Sequence, residues 1–133
     1  MDIKVGNTSL QTVSADAILV SLFEGVDIKS GTLGALDKTL NGSISELLRD
    51  NDLRGKLNEV AVLYTHGAIS APRLIVVGLG KVNEISLERI RQASATGAKK
   101  ARELGCGSIA STVFGTDGVE TSLAAQATME GAV

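Results

Sequence analysis

The sequence lacks tryptophan and has few aromatic rings, cysteines, histidines or prolines. Its 133 residues include two Phe and one each of Tyr, Cys, His and Pro. The core must therefore be aliphatic, and the 44% hydrophobic content is sufficient for one compact domain. One cysteine, Cys106, excludes an internal disulfide. One Cys with one His also excludes a Cys/His zinc cluster built from this chain alone.

The sequence also has no large excess of one charge sign and no long apolar run. The formal net charge is −2, with acids and bases spread along the chain, which argues against a polybasic nucleic-acid-binding segment. No apolar run approaches the roughly 20 residues that span a bilayer, and no basic start precedes a long apolar stretch. Together with the single cysteine, these features predict a soluble protein of the reducing cytoplasm with no membrane partner.

Short apolar runs predict the strands. Ala17 to Phe23 is apolar on both faces, which is typical of a strand covered on both sides. Leu74 to Val77 is aliphatic throughout and rich in β-branched residues, which favours a central strand. Further strands are predicted at Ile3 to Val5, Val60 to Tyr64 and Ser108 to Phe114.

Helix signals lie between these runs. Leu33, Leu36 and Leu40 recur at helical spacing until Gly42. Ser43 to Glu46 then has the form of a capping box, in which the serine hydroxyl and the glutamate carboxylate satisfy unpaired backbone donors. This pattern predicts a second short helix.

The longest helix is predicted between an N-cap at Ser86 and a stop at Gly105. Glu88 lies in its first turn and basic residues lie in its last, the order that the helix dipole favours. Small residues on its inward side, Ser94 and Gly97 among them, are expected to let the helix lie close to a sheet.

A turn at Gly115 to Gly118 precedes a final helix predicted from Ser122 onward. The order of strands and helices predicts one α/β domain over residues 1–133, with a mixed β-sheet and helices packed against it. Helix-compatible composition continues to Val133, so we expect this helix to continue into further polypeptide.

One glycine motif resembles a phosphate-binding turn. Val77 enters Gly78-Leu79-Gly80, and a strand followed by such a turn can cradle a pyrophosphate. Asn83 occupies the third glycine position of the dinucleotide fingerprint, and the next helix begins later, at Ser86. The sequence therefore favours a glycine turn that lets the chain leave the sheet.

The other candidate groups also favour structural roles. His66 has no acid, cysteine or second histidine beside it, and we interpret it as a solvated loop residue. Cys106 fits a small apolar filler between helix and strand better than a nucleophile. Asp16, Asp50 and Asp52 have no spacing that would bring them together on a metal ion.

The basic residues of the longest helix are the remaining candidates. They share their helix with Glu88 and Glu103 and have no interleaved aromatic residues, which favours a solvated face over phosphate contacts. They are Arg89, Arg91, Lys99, Lys100 and Arg102. No set of residues combines a nucleophile, a base and oxyanion donors, so no catalytic, cofactor-binding or metal-binding residue is assigned.

Taken in order, several segments resemble the N-terminal domain of the leucine (cytosol) aminopeptidase family. None of them is diagnostic alone, and the ordered set carries the resemblance over nearly the whole chain. The segments are Asp16 to Val20 running into Leu22 to Gly25, Leu36-Asp37 ahead of Ile44 to Leu48, Arg54 to Lys56, Arg73 to Lys81, and Ala124 to Ala127 with Glu130 to Ala132.

The resemblance implies a macro-domain-like fold for this region. It also implies that the parent protein is a cytoplasmic hydrolase, usually a homohexamer, that removes N-terminal residues such as leucine with two divalent metal ions, zinc or manganese. In the family these metals are bound by the C-terminal domain, whose Asn-Thr-Asp-Ala-Glu-Gly-Arg signature is missing from this sequence. The chain alone is therefore expected to have no peptidase activity.

Three functions remain as hypotheses. The leading one is a non-catalytic scaffolding domain that packs against its own C-terminal catalytic domain. The second is a macro-like module that binds ADP-ribose or another nucleotide through the glycine-bearing loops after Phe23 and Val77, whose amides would face a phosphate. The third is DNA binding, which some bacterial members show and which the acidic balance disfavours.

Overall fold

The computed structural model describes residues 1–6, 10–29, 31–115 and 120–133. Parts of the predicted polar stretch Asn7 to Asp16 and of the predicted turn Gly115 to Gly118 lie outside these residues. The strands are β1 (Asp2–Val5), β2 (Ala17–Leu22), β3 (Val60–Tyr64), β4 (Arg73–Gly78) and β5 (Ser108–Ser111). The helices are α1 (Gly31–Thr39), α2 (Ser43–Arg49), α3 (Leu87–Glu103) and α4 (Thr121–Ala132).

The strands form one sheet in the order β1-β5-β2-β4-β3. The first four are parallel, and β3 runs antiparallel to β4 at one edge. The central strand β2 pairs Leu19 with Ile75 of β4 on one side and with Ser111 of β5 on the other. The predicted mixed α/β sheet is confirmed.

Helices cover both faces of the sheet, so the domain has three layers. Alternate side chains of a strand point to opposite faces. Leu19 and Ile75 pack with the buried side of α3 and α4. Ile18 and Val20 pack with Leu36 of α1 and with the buried side of α2. Two largely aliphatic cores result, and both phenylalanines, Phe23 and Phe114, lie in the one that faces α3 and α4.

The close approach predicted for α3 is confirmed. A Cβ atom added to Gly97 would lie 2.8 Å from a methyl group of Leu19, so the helix lies directly on the sheet. Ser94 donates from Oγ to the carbonyl of Thr128 in α4 at 2.6 Å, which joins the two helices. The predicted N-cap is also present, since Ser86 accepts a hydrogen bond from the amide of Arg89.

The predicted capping box of α2 is wrong. The N-cap is Gly42, which has a positive φ of 81° and no side-chain cap. Ser43 donates instead to the carbonyl of Leu40, because the sharp turn directs its hydroxyl back toward α1. The carboxylate that satisfies the first turn of α2 comes from Asp37 of α1.

Strand β5 is shorter than predicted. It ends at Ser111 rather than Phe114, although the amide of Thr112 still donates to the carbonyl of Leu19 at 3.0 Å. The amide of Phe114 then donates to the Thr128 hydroxyl of α4 at 3.0 Å, which takes the chain out of the sheet. Helix α4 begins at Thr121, one residue before the predicted start, and Glu120 caps it.

Candidate functional site

The order of the strands creates a crevice between β2 and β5. These neighbours are parallel, and the chain leaves β2 toward α1 on one face of the sheet but leaves β5 toward α4 on the other. The two connections separate at the carboxyl ends of the strands. Open α/β sheets bind ligands outside the carboxyl ends of their strands, at the point where the connections diverge in this way.

A cavity of about 400 Å³ lies at this point. Its walls come from residues 20–23 of β2 and its end, from residues 26–28 and 31–33, and from Thr112, Val113 and Gly115 after β5. The volume is within the range of about 300–1,000 Å³ that is typical of small-molecule sites. Position and size together make this crevice the candidate functional site.

Two glycines hold the walls of the crevice in place. A Cβ atom on Gly34 would lie 2.7 Å from the backbone carbon of Lys29, so the loop before α1 is pressed onto the helix. A Cβ atom on Gly115 would lie 2.7 Å from Cδ1 of Ile90, and its φ of 76° already favours glycine. Both walls are therefore packed against helices.

The lining of the crevice combines aliphatic side chains with polar groups. Ser21, Thr32 and Thr112 supply hydroxyl groups, and Asp27 supplies a carboxylate. Residues of the first turn of α1 also line the space, and helix N-termini carry partial positive charge. Among the described lining residues no Lys, Arg or His is present. Asp27 is the ionisable side chain of this lining.

The glycine motif of β4 lies outside this lining. The amides of Gly78, Leu79 and Gly80 donate to the carbonyls of Glu59, Leu22 and Gly55 at 2.7, 2.9 and 2.8 Å, so they are not directed at a phosphate. A Cβ atom on Gly78 would come within 2.0 Å of the carbonyl oxygen of Lys56. The motif is the glycine turn that the sequence favours, because it packs against another loop.

Of the two loops predicted to face a phosphate, only one therefore lies at the crevice. The loop after Phe23 lines the crevice, whereas the loop after Val77 does not, so that half of the prediction is wrong. The second wall comes instead from Thr112 to Gly115, which sequence reasoning missed. Its position follows from the pairing of β5 with β2, and no local motif in the sequence signals that pairing.

His66 and Cys106 lie at the opposite edge of the sheet, at the amino ends of β4 and β5. His66 is exposed, with a φ of 49° in the turn before Gly67. Cys106 is 7% exposed and forms part of the core under α3. Nη1 of Arg73 lies 3.9 Å from its sulfur, and the Arg73 guanidinium also lies over the ring of Tyr64.

The candidate acids stabilise turns and strand starts. Asp16 accepts a hydrogen bond from the amide of Gly107 at 2.6 Å, which ties the start of β2 to the start of β5. Asp50 forms an exposed ion pair with Arg49, and Asp52 is exposed in the turn after α2. Over the described residues, no three His, Cys, Asp or Glu side chains are grouped as metal ligands.

The basic residues of α3 are largely engaged by acids of the same domain. Arg91 contacts Glu130 at 2.8 Å and Glu88 at 3.4 Å, and the hydrogen bond that Arg91 donates to Glu130 raises the pKa of Arg91 above its ordinary value. Arg89 pairs with Glu84, Lys100 with Glu103, and Arg102 donates to the carbonyl of Ala132. Lys99 is exposed. This face therefore carries mixed charge.

No helix among the described residues is long and apolar enough to cross a membrane.

Comparison with known sequences points to one family. The sequence pattern described as "Cytosol aminopeptidase family, N-terminal domain" matches residues 19–133. A probable cytosol aminopeptidase of Alkaliphilus oremlandii is 32% identical over 133 residues, which cover 99% of this chain and 27% of that protein. The chain thus spans about a quarter of the length of this curated relative.

Comparison with solved structures identifies the fold. A tomato leucine aminopeptidase superimposes with a TM-score of 0.78 at 23% identity, covering 99% of this chain and 27% of the other. The macrodomain of Mycobacterium tuberculosis DarG superimposes with a TM-score of 0.76 at 15% identity, covering 97% and 88%. The expected macro-domain-like fold is confirmed.

Proposed function

The chain belongs to the cytosol aminopeptidase family, as its N-terminal domain, and we propose that the whole protein is a metal-dependent aminopeptidase acting on peptides such as those with N-terminal leucine. The family match over residues 19–133 is the observation that carries this proposal. The expected resemblance to this family is thereby confirmed.

Within that enzyme, residues 1–133 act as a non-catalytic scaffolding domain. Two buried aliphatic cores support this role, since they stabilise the domain without placing a reactive group at a defined site. The domain packs against its own C-terminal catalytic domain, contributes to a homohexamer and limits access to the active site. We place the protein in the cytoplasm.

The two divalent metal ions, zinc or manganese, belong to the catalytic domain in this proposal. The described residues do not fit such a centre, because their acids, Cys106 and His66 are not grouped as ligands. Bound metal would supply a polarised water molecule for attack on the peptide bond. No step of that chemistry is assigned to a residue of this chain.

An activity assay tests whether catalysis requires polypeptide beyond residues 1–133. Residues 1–133 and the whole protein are each incubated with leucine p-nitroanilide and with zinc or manganese. The whole protein is expected to release p-nitroaniline, and chelation is expected to stop it. The chain alone is expected to release none. Metal-dependent turnover by residues 1–133 would contradict the proposal.

A second candidate is a module that binds ADP-ribose or another nucleotide. The crevice favours it, because it lies where the connections of β2 and β5 diverge and is bordered by the first turn of α1. Calorimetric titration with ADP-ribose tests it. The absence of both binding heat and thermal stabilisation at millimolar ADP-ribose would remove this candidate.

DNA binding is the least supported function. The pairing of Arg89, Arg91 and Lys100 with acids of the domain leaves little net positive charge on α3. Retention on duplex DNA that weakens as salt rises would be required to restore this hypothesis.

A further inference from the structure

The two edge strands of the sheet differ in charge. Strand β1 exposes Asp2 and Lys4 to solvent, and charged side chains on an edge strand oppose pairing with a further strand. Strand β3, at the other edge, reads Val-Ala-Val-Leu-Tyr and carries no charge. Its residues are half-buried except Tyr64, which is 56% exposed. The β3 edge therefore lacks the protection that the β1 edge has.

One row of backbone groups on β3 points away from the sheet. The amide of Thr65 donates to the carbonyl of Pro72 at 3.0 Å, which fixes the phase of the pairing between β3 and β4. Because hydrogen-bond directions alternate along an antiparallel strand, this phase leaves the backbone groups of Val60, Val62 and Tyr64 facing outward. In the described part of the chain, no hydrogen bond uses these outward groups. The row is a template for one more strand.

We propose that β3 pairs with β3 of a second copy of this chain, antiparallel about a two-fold axis at Val62. In this register Val62 lies opposite Val62 of the second copy, and Val60 lies opposite Tyr64. Each of these residues then donates one backbone hydrogen bond and accepts another. The two five-stranded sheets become one continuous sheet.

The side chains of β3 complement their own strand in this register. On the face toward α3, Val60 lies beside the ring of Tyr64 of the second copy. The guanidinium of Arg73 lies over that ring, 5.8 Å from its centre, and restrains it. On the opposite face, the small Ala61 lies beside the larger Leu63 of the second copy. Since the strand has no charge, no like charges meet, and these pairs favour a second copy over an unrelated strand.

The pairing is limited to two copies and to a short segment. Asn58 has a positive φ of 65°, and the amide of Glu59 donates to the carbonyl of Lys56, so the chain turns away before β3 begins. A contact between identical surfaces about a two-fold axis closes after two copies. The short strand supplies far fewer than the roughly 20–30 residues a side of a standard interface. We therefore expect a dissociation constant on the order of 0.1–1 mM for residues 1–133.

This contact deepens the assembly role, which rests on the proposed function, but pairing itself does not require aminopeptidase activity. An inactive whole protein leaves the pairing result standing. A domain that stays monomeric leaves the activity assay untouched.

Sedimentation and NMR at several concentrations test the pairing. Isotopically labelled residues 1–133 are studied from about 0.02 to about 2 mM, a range that brackets the expected dissociation constant. We expect the monomer to become a dimer, and the amide protons of Val60, Val62 and Tyr64 to exchange several-fold more slowly with water. The amides of Ala61 and Leu63, which face β4, should not change. A monomer throughout, or slowed exchange centred on β1, would overturn the proposal.

A matched pair of variants tests the position of the axis. Val62→Lys places two ammonium groups opposite each other, while the alkyl stem of lysine can keep the packing of valine, and is expected to weaken dimerisation by about tenfold or more. Val82→Lys makes the same change in net charge at a residue that is 48% exposed, and is expected to dimerise as the wild type does. Slow exchange of the Leu63 amide shows that Val62→Lys keeps β3 on β4.

Equal dimerisation of Val62→Lys and wild type would contradict the proposed axis. So would protection of the outward amides in the whole protein that Val62→Lys leaves intact, because β3 would then pair with another segment.

Discussion

The carboxylate of Asp37 accepts a hydrogen bond from the amide of Ile44 at 2.8 Å. The same oxygen accepts the amide of Ser45 at 3.0 Å, and the Ser45 hydroxyl bonds the other oxygen. Asp37 belongs to α1 and both amides belong to the first turn of α2, so one helix caps the next. The negative charge also complements the dipole of α2.

Replacement of this cap is expected to destabilise the domain. Asp37→Ala leaves two amides of α2 without their acceptor and should lower the free energy of unfolding by about 1–2 kcal/mol. Ser43→Ala is the control for the capping box, since the Ser43 hydroxyl donates to Leu40 rather than accepting from α2. Urea unfolding measures both variants. A larger loss for Ser43→Ala than for Asp37→Ala would contradict this account.

Sequence periodicity was sufficient to predict the strands and long helices of this fold, but not all of their caps and end points. The apolar run from Ala17 and the Ser86 cap are local features, and both are present in the structure. The cap from Asp37 and the early end of β5 depend on residues brought together by tertiary packing. A local pattern carries no information on such contacts.

The candidate site was the least predictable part for the same reason. The loop after Phe23 is visible in the sequence, but its facing wall comes from Thr112, which follows strand β5, and β5 lies beside β2. The glycine motif at Gly78 predicted a phosphate-facing loop in the wrong place. The sequence alone does not distinguish a glycine required by close backbone packing from a glycine that faces a phosphate.

A substitution at Gly78 distinguishes these two roles of glycine. In Gly78→Ala the new methyl group meets the backbone of Gly55 and Lys56, which cannot move as a side chain can. We expect a loss of about 2 kcal/mol or more in the free energy of unfolding. Gly6→Ala is the control, because no atom of the described residues beyond its chain neighbours lies within 4 Å of its added Cβ. Chemical denaturation measures both. An unchanged stability of Gly78→Ala would remove the packing explanation.

The cap of α4 predicts a dependence of stability on pH. The hydroxyl and amide of Ser122, with the amide of Leu123, lower the pKa of Glu120 below its ordinary value of 4.5. A carboxyl group with a lowered folded-state pKa stabilises the fold above its unfolded pKa, and this contribution is lost as pH falls through the folded value. As the pH falls from about 5 to about 3, the free energy of unfolding of the wild type should therefore decrease more than that of Glu120→Gln.

Thermal unfolding from about pH 6 to pH 3 measures that difference. Glu46→Gln, which removes an exposed acid from the first turn of α2, controls for the change in net charge. A parallel fall in the midpoint temperatures of wild type and Glu120→Gln would show that the cap carries no pH-dependent stability.

Thr128 links the stability of α4 to the crevice. Its buried hydroxyl accepts the amide of Phe114 at 3.0 Å and donates to the carbonyl of Ala124 at 2.7 Å, so it fixes the end of the wall formed after β5. Thr128→Val keeps the shape but leaves the amide of Phe114 buried without an acceptor. We expect a loss of about 1–3 kcal/mol in the free energy of unfolding.

The same variant should also disturb the crevice. With the wall from Thr112 to Gly115 released from α4, hydrogen exchange of the Phe114 amide should speed up more than exchange in β2. Thr39→Val is the control, because the Thr39 hydroxyl donates within α1 to Ala35. If exchange at Phe114 rises equally in both variants, the wall is held by packing on Ile90 alone, and Thr128 stabilises only its own helix.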